Sequence, residues 1–150
     1  MTSTFAICED VGKYWVANNM PEKIINTASL ASFIGNVRIV RYAMSQGGVA
    51  QLTKALNNEW AAKEINVNAI APGHVLPVCH FDCLASQLTE PTCIAGRWGT
   101  PEDFKGSSVF LTSSASDYIH GQILLVSIWD LLFIVYDCIQ TGRCSWMGDL

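Results

Sequence analysis

Residues 23–60, KIINTASLASFIGNVRIVRYAMSQGGVAQLTKALNNEW, constrain the fold more than any other part of this chain. They open on a short apolar run, Lys23-Ile24-Ile25-Asn26-Thr27, that closes in small polar residues, the pattern of a buried strand entering a loop. From about Arg41, Ala43, Val49, Ala50, Leu52, Leu56 and Trp60 recur at spacings of three, four and seven, which predicts a long helix with one apolar face. In open α/β sheets, ligands bind beyond the carboxyl ends of the strands. The predicted strand leaves Ser29 at that end, and the predicted helix carries Tyr42 in its first turn. A hydroxyl and a phenol brought there could polarise a carbonyl and exchange a proton with it. The alternative is a tyrosine whose amphipathic ring only packs at a helix start.

The rest of the chain supplies the same kinds of element. Residues 3–18 read as a helix capped by Ser3 or Thr4, with Phe5, Ala6, Ile7, Val11, Tyr14 and Trp15 as its apolar bulk, ended by Asn18-Asn19 and Pro21. Ile65-Asn66-Val67-Asn68-Ala69-Ile70 alternates and predicts a second strand, stopped at Pro72-Gly73. Thr100, Pro101 and Asp103 form a helix start with a capping-box pattern. That helix is expected to bury Phe104, Val109, Phe110 and Leu111, and to end in the turn at residues 113–117. Residues 122–126 then read as a third strand. Helices alternating with strands imply an α/β class with a parallel sheet.

Composition narrows the partners. At 150 residues the chain is one domain by length, and with half of its residues apolar and 15% charged it is globular. A formal charge of −4 supplies no basic patch, which argues against nucleic acid. The opening MTSTFAICED carries Glu9 and Asp10 rather than a cationic leader, so the six cysteines are expected to be reduced thiols of a cytoplasmic protein. Residues 123–139 are apolar, but Asp130 and Asp137 interrupt them, and no membrane span is expected. His74, Cys79, His80, Cys83 and Cys93 fit no standard zinc spacing beyond the pair Cys79-x₃-Cys83, and we read no metal site there.

Several motifs in order resemble the short-chain dehydrogenase/reductase family. They are IINTAS with Ser29, Tyr42 thirteen residues on with Ser45 and Gly47-Gly48-Val49 behind it, NEWA, INVNAIAPG, AGRWGTPEDF and SSASDYIHGQ. The wording is nearest to the sugar-acid and polyol branch, of the 2-deoxy-D-gluconate 3-dehydrogenase type. The resemblance implies an NAD(P)-dependent oxidoreductase that binds NAD or NADP and acts on a sugar acid or polyol. Ser29 would polarise the carbonyl, Tyr42 would be the acid/base, and Tyr42, position 46, Pro72, Gly73 and Val75 would touch the cofactor. It also implies that residues 74–92 cover the substrate and that Arg97 and Trp98 anchor that cover. The helices near Ser3 and Arg41 would pair subunits, in a homo-oligomer or with a full-length relative.

The chain departs from this pattern where the family has a lysine four residues after the tyrosine; here position 46 is Gln. In the family that lysine holds the cofactor ribose and favours the phenolate. A free phenol has a pKa near 10, so only about one in a thousand is ionised at pH 7. A cation about 4 Å away at an effective dielectric near 20 contributes roughly 4 kcal/mol, about three pKa units. Gln46 hydrogen-bonds without charge, so proton transfer is expected to be impaired. Pro77 stands where the family has a phosphate-contacting threonine, and offers neither hydroxyl nor N–H.

The expected fold is therefore a partial Rossmann-like (doubly wound) domain of three parallel strands with flanking helices. Residues 1–126 would form the carboxyl half of a dinucleotide-binding domain whose first βαβ units, with their glycine-rich turn, are missing; Gly47-Gly48 would face packing instead. A half-sheet with a bare edge is expected to be marginally stable and prone to associate. From Ser127 the resemblance stops. Residues 127–150 read as a divergent tail ahead of a family-like Trp146-Met147-Gly148 ending, as a retained intron would produce.

Overall fold

The structure, a computed structural model, describes residues 2–35, 38–75 and 97–127. Its elements run α1 (Thr2–Asn18), β1 (Lys23–Thr27), α2 (Val40–Trp60), β2 (Asn66–Pro72), α3 (Lys105–Thr112) and β3 (Ile123–Val126). Short 3-10 turns follow β1 at Leu30–Ser32, follow α2 at Ala61–Lys63 and lead into α3 at Pro101–Phe104. The strands form one parallel sheet in the order β1-β2-β3, with Ile24 opposite Val67 and Ala69 opposite Ile123. This is the expected α/β architecture of three parallel strands with flanking helices.

β2 has both faces covered. Val67, Ala69 and Ala71 belong to the clusters shared with Leu56, Trp60 and Val49 of α2. The small alanines bring α2 close to the sheet. Asn66 and Asn68 alternate with these residues yet are equally buried, at 6% and 2% exposure. The alternation therefore marks two buried faces, one apolar and one of paired amides, rather than an inside and an outside. Buried amides need partners. Asn66 Nδ2 donates to the carbonyls of Asp117 (2.9 Å) and Ile119 (3.0 Å). Asn68 Nδ2 donates to the Ile119 carbonyl (2.9 Å), while its Oδ1 accepts from the Gln122 N–H (2.8 Å). The amides thus hold the turn that aims β3 alongside β2.

Between the helices, Asn26 of β1 makes the corresponding junction. Its Nδ2 donates to Thr53 Oγ1 at 3.0 Å and its Oδ1 accepts from Cys8 Sγ at 3.3 Å, so α1, β1 and α2 share one buried polar point. Burial pushes the Cys8 thiol pKa up, against the opposing pull of the Asn26 hydrogen bond.

Four local expectations need correction. α1 begins at Thr2, so Ser3 and Thr4 lie inside it and neither is its cap. Its buried residues are Cys8 and Gly12, while Phe5, Ile7 and Tyr14 are exposed. In α3 only Leu111 is buried; Val109 and Phe110 point outward at 66% and 40% exposure, because eight residues are too few to define a broad apolar face by period alone. Gly47 does not face packing: a Cβ there would meet nothing within 4 Å. The tail at residues 128–150 lies outside the described residues.

At Gly12 α1 packs directly against Trp60 of α2, since a Cβ built on it would overlap the six-membered ring of the indole. Gly12→Ala gains about 1 kcal/mol of helix propensity. It overpacks a buried contact at a cost of about 1–3 kcal/mol, and Trp60, buried in the core, has little room to retreat. Gly12→Ala is expected to lower the midpoint of a circular-dichroism melt; a raised midpoint would show that the indole yields.

Candidate active site

Because the strands are parallel, the turn after β1 and the end of β2 lie at the same carboxyl edge of the sheet. Ser29 sits two residues beyond β1, buried and in extended geometry (φ −155°, ψ 161°). It caps the 3-10 turn that follows: Ser29 Oγ accepts from the Ala31 N–H at 3.1 Å, and the Ser29 N–H donates to Ser32 Oγ at 3.2 Å. Ser32 Oγ in turn donates to the Gln46 carbonyl of α2 at 2.8 Å. The turn carrying Ser29 is therefore tied directly to the helix carrying Tyr42.

Tyr42 is the third residue of α2 and is half exposed. Position 46 lies one turn on, and Gln46 Nε2 donates to Tyr42 Oη at 3.2 Å. Ser45 Oγ donates to the Tyr42 carbonyl at 2.8 Å, a bond local to the helix. Ser29, Tyr42, Gly73 and His74 line one cleft of about 210 Å³, walled by Ile34 and Ile39. That is below the range of roughly 300–1,000 Å³ typical of drug-sized ligands and suits a small molecule.

Pro72 ends β2 opposite Val126, and the Gly73 N–H donates to the Val126 carbonyl at 3.2 Å. A Cβ on Gly73 would overlap the Ser127 side chain, so close packing against β3 already accounts for a glycine there. Val75 makes an isolated parallel bridge to Gly99 and is not among the residues lining the Ser29–Tyr42 cleft. The structure thus gathers Ser29, Tyr42, Gln46 and Gly73, and leaves Pro72 and Val75 as backbone framing. Pro77 lies outside the described residues, as do Cys79, His80, Cys83 and Cys93. Among the described residues no group of three or more His, Cys, Asp or Glu could hold a metal ion. Among them, too, no helix is long and apolar enough to cross a membrane.

Sequence reasoning missed Ser32 and the place of His74 in the cleft. The first was readable as an S-x-x-S capping pattern starting at Ser29; the second depends on tertiary structure. The imidazole of His74 meets the Trp98 indole edge-on, with centroids 5.5 Å apart and planes at 81°. Beside it, Arg97 grips Asp103 through two bonds of 2.8 Å each. Asp103 also accepts from the Thr100 N–H at 2.7 Å, completing the expected capping box.

A parallel sheet flanked by helices, with a serine and a tyrosine sharing a cleft at its carboxyl edge, defines a Rossmann-like α/β domain. The chain belongs to the short-chain dehydrogenase/reductase family. A family model described as enoyl-(acyl carrier protein) reductase matches residues 1–128. The chain is 45% identical over 130 residues to a 2-dehydro-3-deoxy-D-gluconate 5-dehydrogenase of Pseudoalteromonas atlantica, covering 84% of this chain and 51% of that protein. A solved gluconate 5-dehydrogenase from Burkholderia cenocepacia, in complex with NADP and tartrate, is 33% identical with a TM-score of 0.74, over 81% of this chain and 49% of that one. A short-chain dehydrogenase from Leptospira borgpetersenii with bound NAD+ superposes with a TM-score of 0.77 at 31% identity, over 84% of this chain and 51% of that one. The chain spans about half the length of the curated relatives it matches.

The Arg97 guanidinium, and after it the Thr100 N–H, hold the Asp103 carboxyl well below the usual carboxylate range. A carboxyl depressed on folding adds stability above its unfolded value and loses it as the pH falls toward its folded one. Solvent screening keeps this contribution modest at an exposed pair. Asp103→Asn is therefore expected to lower the melting temperature at about pH 7, and the gap to the parent should narrow as the pH drops below about 4. A gap of constant size across that range would show that Asp103 acts without its charge.

Proposed function

We propose that this chain supplies the substrate-side half of an NAD(P)-dependent oxidoreductase acting on a sugar acid or polyol, with proton transfer slowed at Tyr42. The observation that carries the reading is the Gln46–Tyr42 contact of 3.2 Å beside the Ser29 cleft. In this reading the Ser29 hydroxyl donates a hydrogen bond to the substrate oxygen, and Tyr42 Oη gives that oxygen a proton in reduction or takes one in oxidation. Gln46 orients the phenol but brings no charge to favour the phenolate. The names of the gluconate-type relatives support the substrate class.

The residues present fit one end of a nicotinamide cofactor: Tyr42 Oη and the Gln46 amide, adjacent at 3.2 Å, would hold a ribose by hydrogen bonds. When bound, the cofactor supplies the hydride acceptor or donor. The described residues include no glycine-rich turn between a strand and a helix that would cradle its pyrophosphate. In this reading residues 1–126 form the unit that carries the site.

Activity is tested with D-gluconate and either NAD+ or NADP+, read by nicotinamide absorbance. Slow turnover is expected, lost in Tyr42→Phe and raised on the order of 10²-fold in Gln46→Lys. Turnover that persists in Tyr42→Phe, or a parent rate equal to that of Gln46→Lys, would overturn the reading.

A second reading, a non-catalytic partner in a homo-oligomer or with a full-length relative, draws on exposed apolar helix faces. Val40 and Met44, one turn apart on α2, are 75% and 73% exposed, and Ile7 on α1 is 64% exposed. Between α1 and β1 runs a groove of about 370 Å³ lined by Ile7, Val11, Trp15 and Ile24. Light scattering on a sizing column is expected to show association, reduced in Val40→Lys/Met44→Lys; a monodisperse monomer would exclude this second reading.

A further inference from the structure

β1 differs from β2 in what its two edges meet. β2 is paired on both sides and buried along almost its whole length, whereas β1 is paired on one side and its Lys23, Ile24 and Ile25 are only half-buried. The Asn66 N–H donates to the Glu22 carbonyl at 3.0 Å, and the Ala28 N–H donates to the Ile70 carbonyl at 2.8 Å, so the even-numbered residues bond to β2. Backbone groups alternate in direction along a strand. The N–H and C=O groups of Lys23, Ile25 and Thr27 therefore face the other edge, and among the described residues no strand pairs with them there.

Free edges are commonly guarded by proline, a bulge or a projecting lysine. β1 has no proline and its register with β2 is unbroken. Its one lysine is turned away from the edge: Lys23 Nζ bonds to Asp117 at 2.6 Å and to the Ser113 carbonyl at 2.6 Å. Along the same edge, the groove between α1 and β1 includes Ile25 with Ile7, Val11 and Trp15, an apolar wall.

Outward groups on the first, third and fifth residues of a five-residue strand are symmetric about its centre. A second copy related by a twofold axis at Ile25 would set Ile25 against the partner's Ile25 and Lys23 against the partner's Thr27. Each outward N–H would then meet an outward C=O. In that register Glu22 falls opposite the partner's Ala28, and no like charges are paired across the strands. We propose that two copies of this chain pair antiparallel through these β1 edges, joining their sheets across a twofold axis at Ile25. The contact is separate from the Val40 and Met44 face of α2, and it goes beyond the oxidoreductase reading without resting on it.

Sedimentation equilibrium on the full chain is expected to show a dimer. Ile25→Pro removes an N–H that β2 does not use, one from each copy, and should weaken association on the order of tenfold. Ile25→Lys opposes two ammonium groups at the axis and should abolish it. Both variants are checked for folding by circular dichroism. Ile25→Cys reads the register directly, because opposite residues of such a pair lie about 5.5 Å apart between Cα atoms, within disulfide reach. Mild oxidation should link position 25 to the same position of the second copy, as seen by peptide mapping, and the link should persist alongside Val40→Lys/Met44→Lys. A monomeric parent, a dimer as tight in folded Ile25→Pro and Ile25→Lys as in the parent, or no link at position 25 overturns the inference.

Discussion

The rest of the structure depends on the two-sided burial of β2. A strand with helices on both faces must satisfy every polar group it carries without water. Asn66 and Asn68 do this by spending their amides on the segment between α3 and β3. The same bonds that remove a desolvation cost also position β3, and β3 supplies the Val126 carbonyl that receives the Gly73 N–H. The floor of the cleft, Gly73 and His74, is thus set by hydrogen bonds made at the opposite end of the strands. Replacing either asparagine by an apolar residue of similar size would keep the packing and release the turn that holds β3.

The architecture was legible because its signals are local. Lys23–Thr27 was readable as a strand to the residue, since an apolar run closing in Asn-Thr-Ala-Ser leaves little choice of where the extended backbone stops. The Thr100–Asp103 capping box was readable because all its partners lie within four residues. The orientation of short helices was not legible. For the helix expected to start at Thr100 the sequence nominated Phe104, Val109 and Phe110 beside Leu111, and of these four packing buries Leu111 alone. The start of α1 was missed for a similar reason: Ser3 and Thr4 have the right chemistry for a cap, but the helix begins before them.

For the site, what was legible was which residues could matter, and the missing part was what holds them. Ser29 and Tyr42 were nominated by their places at a strand end and a helix start, and they do line one cleft. The bond from Ser32 to the Gln46 carbonyl joins two elements fourteen residues apart, and no periodicity announces it. His74 came to notice in sequence only as one member of a loose His and Cys set. Its place in the cleft follows from the return of the chain at Gly99, which pairs with the His74 carbonyl.

Gln46 links these strands of argument, because it serves the site through two different groups. Its backbone carbonyl receives Ser32 Oγ and so fixes the distance between the serine turn and α2, a task any residue at this position would perform. Its side chain reaches the Tyr42 phenol, and there residue identity decides the chemistry. The scaffold of the site therefore does not depend on charge at position 46, whereas the proton transfer proposed for Tyr42 would. On the proposed reading the geometry of the hydroxyl pair and the field acting on it are separable, since hydrogen-bond positions are set by packing over a few ångströms and proton affinity by charge over a longer range.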